Sequence, residues 1–185
     1  MNRAPCSRLL VVGLLAACLI GCGGPDQTIA LDPSVQLRVR FGDPAWDGLE
    51  VPESGRCRDC GGQGRSPALW IDGVPAAAEE IVVEFNDLRI PDLARNGGHG
   101  TLAVATGGQD RVFLPSVREE TMSLPRTVRC VRPHRCVFFG HSAGAYMAPC
   151  GCGHGNRYAA TVMAVRHDGE RTVVLARTEI SLGVF

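Results

Sequence analysis

From residue 35 to residue 41 the chain alternates, with Val35, Leu37, Val39 and Phe41 on one side and Gln36, Arg38 and Arg40 on the other. A period of two sets one face on a core and the other in water, the pattern of a strand and not of a helix. Short runs rich in β-branched or aromatic residues return at 81–85, 102–105, 111–114, 137–139, 158–165, 172–176 and 180–185. Gly-Gly, Asp-Gly or Pro-containing joints separate them, drawn from 23 glycines and 12 prolines. No segment sustains a 3.6-residue period over three turns, and 76–80, after Pro75, offers at most one turn of helix. Many short strands with turn-rich joints must pair their apolar faces in two layers, so the expected architecture is an all-β antiparallel sandwich with little helix.

The N-terminus carries a different signal. Residues 1–8 hold Arg3 and Arg8 and no acid, and an apolar run follows at 9–20. Twelve residues are too few to cross a hydrocarbon core of roughly 30 Å as a helix, so the run reads as the centre of an export signal. It ends in Leu19-Ile20-Gly21-Cys22, which looks like the lipobox of bacterial lipoproteins. The expectation is a signal peptide at 1–21, a lipidated N-terminus and linker at 22–33 beginning with acylated Cys22, and one domain at 34–185. Membrane attachment then runs through the lipid on Cys22. Gly23 stands where inner-membrane retention favours aspartate, which points to the outer membrane, facing the periplasm. Removing Arg3 and Arg8 leaves 17 basic residues, all arginine, against 19 acidic ones. A near-neutral domain gives no electrostatic reason to bind nucleic acid.

Six cysteines follow Cys22: Cys57, Cys60, Cys130, Cys136, Cys150 and Cys152. An even number in an exported chain predicts three disulfides, and Cys150 and Cys152 are too close to bridge each other easily. The same cysteines, with His134 and His154 nearby, form a soft ligand set for zinc or copper if the thiols stay reduced. Oxidation takes precedence outside the cytoplasm, so neither a metal nor any other cofactor is expected.

A run of motifs then points to a family. Gly48-Leu49-Glu50-Val51-Pro52 comes first, followed by Cys57-Arg58-Asp59-Cys60-Gly61-Gly62-Gln63-Gly64-Arg65-Ser66-Pro67-Ala68-Leu69-Trp70 and Gly73-Val74-Pro75. Ile81-Val82-Val83-Glu84-Phe85-Asn86-Asp87, Pro149-Cys150, Arg157-Tyr158 and a closing Gly183-Val184-Phe185 follow in order. Together they resemble the phosphatidylethanolamine-binding protein family, whose bacterial members are often called Raf kinase inhibitor-like proteins. The resemblance implies a Greek-key β-sandwich with a small anion-binding pocket at one end. It also implies that the Cys57/Cys60 and Cys150/Cys152 loops flank that end, so that at least one bridge joins them. Asp87 matches the second pocket aspartate of the family's Asp-Pro-Asp turn, and His99, within a residue or two, matches a pocket histidine. Tyr158 matches the tyrosine of His-Arg-Tyr, and Pro149 opens the Gly-Pro-Cys-Pro-Pro loop. Two positions depart: Phe85 stands at the first pocket aspartate, and Asn156 at the histidine of His-Arg-Tyr.

The resulting expectation is a binding protein for a small anionic or phosphate-bearing group, using His99, Asp87, Tyr158 and the Pro149 loop, with no catalytic residue. The alternative is an envelope scaffold that binds another envelope protein through an apolar patch at Phe138 and Phe139. Gly140-His141-Ser142-Ala143-Gly144 matches the G-x-S-x-G elbow of serine hydrolases. That elbow needs a helix after the serine, and Ala145-Tyr146-Met147-Ala148-Pro149-Cys150-Gly151 does not make one.

Overall fold

The computed structural model describes residues 27–31 and 36–185. The proposed signal, Cys22 and Val35 lie outside these residues. Among the described residues, nine strands form two sheets: β1 (Gln27–Ile29), β2 (Arg38–Phe41), β3 (Leu69–Asp72), β4 (Glu80–Asp87), β5 (Thr101–Ala105), β6 (Arg111–Leu114), β7 (Val128–Arg132), β8 (Arg157–Asp168) and β9 (Arg171–Val184). The larger sheet has the order β1-β9-β8-β4-β5-β7 and the smaller β2-β3-β6. Among the described residues, helix is confined to three short 3-10 segments, Glu53–Gly55, Arg58–Cys60 and Cys136–Phe139.

The alternation seen in the sequence is what joins the sheets. Leu37 is buried, and Val39 and Phe41 pack against the core while Arg38 and Arg40 are exposed. Leu69 and Ile71 of β3, and Val112 and Leu114 of β6, meet Ile81, Val83 and Phe85 of β4 in one continuous core. The opposite parity on the large sheet forms a second, smaller cluster of Val82, Ala103, Met163, Val165 and Val174. Both faces of β4 and β8 are therefore largely buried, which is why these two strands read as near-continuous apolar runs.

Three expectations need correction. The sheets are not wholly antiparallel, because β1 runs parallel to β9, with Thr28 opposite Val173. The runs at 172–176 and 180–185 are one strand, β9, which stays paired with β8 from Asp168 opposite Arg171 to Arg157 opposite Val184. Register shifts at Tyr158/Ala159 and Ala164/Val165 break the apolar period without breaking the ladder. The apolar run at 137–139 is not a strand but lies in a 3-10 segment, with Phe138 85% exposed. It pairs with no neighbouring strand, and its chain is steered instead by Arg135, whose amide donates to Gly98 O and whose guanidinium donates to Asp92 O and Arg95 O.

Candidate functional site

At one end of the large sheet, β4 and β8 place Asp87 directly opposite Tyr158. Opposed residues share a face, so both side chains turn to the same side of the sheet. Each is almost wholly buried. Just before β8, Asn156 exchanges two 2.9 Å backbone bonds with Phe185, and its side-chain amide donates to Asp87 Oδ2 at 2.7 Å. The other Asp87 oxygen accepts the Arg89 amide at 2.9 Å. Asp87 is thus held from both sides before any ligand arrives.

His99 reaches the same point from the loop ahead of β5. Asn86 Oδ1 accepts the amides of Gly97 and Gly98, at 3.0 and 3.3 Å, which tightens that loop against β4. The His99 amide then donates to Phe85 O at 2.9 Å. Its ring nitrogen Nδ1 lies 2.9 Å from Met147 O, and since a carbonyl only accepts, Nδ1 carries the hydrogen. Met147 returns a bond from its amide to His99 O at 2.9 Å. Nε2 makes no hydrogen bond among the described residues, which leaves it as the nitrogen the ring can offer to a ligand. Burial pushes the His99 pKa down from 6.5 to about 4, against the opposing pull of the Met147 carbonyl and the Asp87 charge. At neutral pH the ring is therefore uncharged. Gly100 makes this approach possible: its φ of +111° is in the left-handed half of the map, and a Cβ there would run into Ala145 O.

The third side is the loop carrying Pro149. The Cys57 amide donates to Pro149 O at 2.9 Å, and two disulfides, Cys57–Cys150 and Cys60–Cys152, with Cα separations of 5.1 and 5.2 Å, bind the loops together. Gly151 lets the chain pass close, since a Cβ would meet Phe185 O and lie 3.1 Å from the Tyr158 hydroxyl.

These elements enclose a cavity of about 130 Å³ lined by Asp87, His99, Tyr158 and Asn156 together with Ile90, Leu93, Cys136, Phe139, His141 and Cys150. The His99 and Tyr158 rings meet edge to face, centroids 5.5 Å apart. The Tyr158 hydroxyl is buried, with Asp87, Asn156 and the Cys150 backbone beside it but no well-formed hydrogen bond to any of them. Burial, and then the Asp87 charge, hold its pKa above the ordinary value, so it remains a donor. Three of the four residues expected to bind a ligand, His99, Asp87 and Tyr158, come together here. Pro149 does not line the cavity; its carbonyl is spent on Cys57, and its neighbour Cys150 forms the wall instead.

Phe85, aligned with the family's first pocket aspartate, does not line the cavity. It points into the core and packs edge to face on Tyr146 at 5.0 Å. Ile90 and Leu93 carried no sequence signal beyond being apolar, and Cys136 stood out only as a disulfide candidate. Ser142 lies in an exposed stretch with no helix after it, its amide donating to Glu120 Oε1 at 2.8 Å. The expectation of three disulfides is also corrected: Cys130 and Cys136 are free thiols. Cys130 is held in the β5–β7 ladder opposite Leu102, while the Cys136 sulfur turns toward Gly98 O at 3.8 Å.

No protein-family model matches the sequence, and no curated protein matches it. Solved structures do match in fold. The crystal structure of Escherichia coli YbcL, described as a member of the mammalian PEBP family, superimposes with a TM-score of 0.51 at 19% identity, over 80% of this chain and 97% of YbcL. The PEBP homologue CT736 of Chlamydia trachomatis superimposes with a TM-score of 0.50 at 18% identity, over 82% of this chain and 98% of CT736. The two-sheet architecture with almost no helix is thus the fold of the phosphatidylethanolamine-binding proteins.

Proposed function

We propose that the cavity between Asp87, His99 and Tyr158 binds a small phosphate-bearing group in its singly protonated form, on a Greek-key sandwich held to the outer membrane through lipid on Cys22. The observation that carries the ligand reading is the buried Tyr158 hydroxyl, without a well-formed hydrogen bond, facing a histidine whose Nδ1 hydrogen is already engaged. Tyr158 donates to a phosphate oxygen. Neutral His99 offers Nε2 as an acceptor, so the ligand must bring a hydrogen of its own, which a P–OH group does and a fully ionised phosphate does not. The carboxylate of Asp87 acts in the same sense, accepting from P–OH and disfavouring a dianion.

Titrating inorganic phosphate and phosphorylethanolamine by nuclear magnetic resonance tests this. Resonances of His99, Tyr158 and Cys150 should move, and affinity should rise as pH falls through the second phosphate pKa, near 6 for a phosphate monoester. A charge-assisted hydrogen bond contributes about 1.5–3 kcal/mol, so Tyr158→Phe should weaken binding roughly tenfold to a hundredfold. Unmoved cavity resonances at high ligand concentration would sink the reading. Fatty-acid labelling tests the anchor: Cys22→Ala should abolish incorporation and release the protein from the membrane.

A second reading, contact with another envelope protein, is favoured by the exposure of Phe138 at 85% and Phe139 at 56%. Both line a shallow groove of about 380 Å³ with Leu93, Arg95 and Arg135. A photo-crosslinker at position 138 that captures a specific envelope protein, with no phosphate response in the cavity, would put this reading in place of the first.

A further inference from the structure

Three sulfur atoms converge beside the cavity, and a fourth adjoins them through a disulfide. Those of Cys57, Cys60 and Cys150 all lie within 4.8 Å of one another. Across the two bonds, Cys57 Sγ is 3.3 Å from Cys60 Sγ, and Cys60 Sγ is 3.7 Å from Cys150 Sγ. Cys152 joins the cluster through its bond to Cys60. A tetrahedral zinc with Zn–S of about 2.3 Å holds its sulfurs roughly 3.8 Å apart. The Cys57–Cys60 and Cys60–Cys150 separations already approach that spacing, Cys152 would have to swing in once freed, and the C-x-x-C and C-x-C pairs come from two loops fixed by the Cys57–Pro149 hydrogen bond.

We propose that this cluster is a redox-convertible metal site, two disulfides when oxidised and a four-thiolate site for Zn²⁺ when reduced. Cys57 is buried and Cys152 exposed, so reduction enters at Cys152. A thiolate of an external dithiol attacks Cys152 Sγ, the Cys60–Cys152 bond breaks, and Cys60 leaves as thiolate. The second thiol of the reductant resolves the mixed disulfide, freeing Cys152 and closing the reductant into its own disulfide. Cys60 thiolate, 3.7 Å away, then attacks Cys150 Sγ, forming Cys60–Cys150 and releasing Cys57. A second dithiol reduces that bond in the same way. Four electrons and four protons are taken up in all, and Zn²⁺ displaces the four thiol protons as it binds.

His141 is the competing fourth ligand. One of its ring nitrogens lies within 4.8 Å of the Cys150 sulfur, and its Nδ1 is 3.4 Å from an Asp59 oxygen and 3.7 Å from Glu120 Oε1. Cys152 is favoured because it is already bonded to a member of the sulfur triad.

The test treats the purified full chain with a dithiol under nitrogen, adds Zn²⁺, removes the excess, and measures bound metal together with cysteine alkylation mapped by mass spectrometry. The oxidised protein should retain no zinc and the reduced protein one ion per chain. Zinc should slow alkylation of Cys57, Cys60, Cys150 and Cys152 severalfold while leaving Cys130 unchanged. Co²⁺ in place of Zn²⁺ should give the sulfur-to-metal charge-transfer absorption of a tetrahedral thiolate site. His141→Ala should retain the metal and Cys152→Ala should lose it. The opposite pattern overturns the four-thiolate assignment, and a reduced wild-type chain that retains no zinc overturns the site altogether. Circular dichroism follows folding throughout: if reduction unfolds the chain, zinc should restore the strand signal, and failure to do so counts against the proposal.

Discussion

The side-chain amide of Asn156 donates to Asp87 Oδ2 at 2.7 Å, tying the residue that enters β8 to the last residue of β4. Both partners are buried, so this bond replaces a water that the carboxylate would otherwise need. Asn156→Ala removes the donor and leaves the oxygen short of a partner. The expected loss is about 1–3 kcal/mol of unfolding free energy, read from urea denaturation at neutral pH. A neutral result would mean that Asp87 is already served by solvent.

The His99 ring is buried in its neutral form, with a pKa depressed to about 4 from an ordinary 6.5. The unfolded chain therefore binds a proton that the folded chain refuses. Stability from this group is fully present above pH 6.5 and is lost as pH falls toward 4, by an amount on the order of a few kcal/mol. His99→Gln keeps a polar side chain without the titration. Denaturation midpoints measured from pH 7 down to 4 should fall less steeply for the variant than for the wild type; parallel curves would remove His99 as the cause.

Two phenylalanines separate packing from exposure. Phe85 is 1% exposed and meets Tyr146 edge to face, whereas Phe138 is 85% exposed. Phe85→Ala should cost about 3–5 kcal/mol through lost burial and a residual cavity. Phe138→Ser should stay within about 0.5 kcal/mol of wild type. Thermal melts of the two variants check both, and a large loss at Phe138 would show that the 3-10 segment is packed more firmly than its exposure indicates.

How much of this was legible depended on where the information sat. The strands with strict alternation or strong β-branching, β2, β4, β5 and β6, follow from local sequence because their side chains must choose between core and water. β7 escaped notice because Arg129 and Arg132 interrupt it and its place is set by pairing with β5, a long-range fact. Cys136-Val137-Phe138-Phe139 misled for the converse reason: local apolarity promised a strand, but the segment closes into a 3-10 turn and pairs with no strand. In the site, Asp87, His99 and Tyr158 were reached through resemblance, which also implied at least one bridge between the Cys57/Cys60 and Cys150/Cys152 loops but not which cysteines pair. Cys136, Leu93 and Ile90 meet the cavity only through tertiary packing, which no short pattern encodes. The role of Asn156 as the carboxylate's partner needed the register of Asp87 opposite Tyr158.

The two free thiols among the described residues should differ in reactivity. Cys136 is buried, and burial reinforced by the Asp87 charge pushes its pKa up to about 12. Cys130 is partly buried and raised by the same desolvation, but the Arg129 guanidinium pulls it back. Alkylation requires thiolate and access together, and Cys136 is short of both. With the disulfides left oxidised, a maleimide at mildly alkaline pH should label Cys130 well before Cys136, as mapped by mass spectrometry over time. Cys136 lines the cavity, so a phosphate-bearing ligand should slow its labelling further while leaving Cys130 untouched. Equal protection of both thiols by the ligand would indicate global stabilisation, and would count against occupancy of the cavity itself.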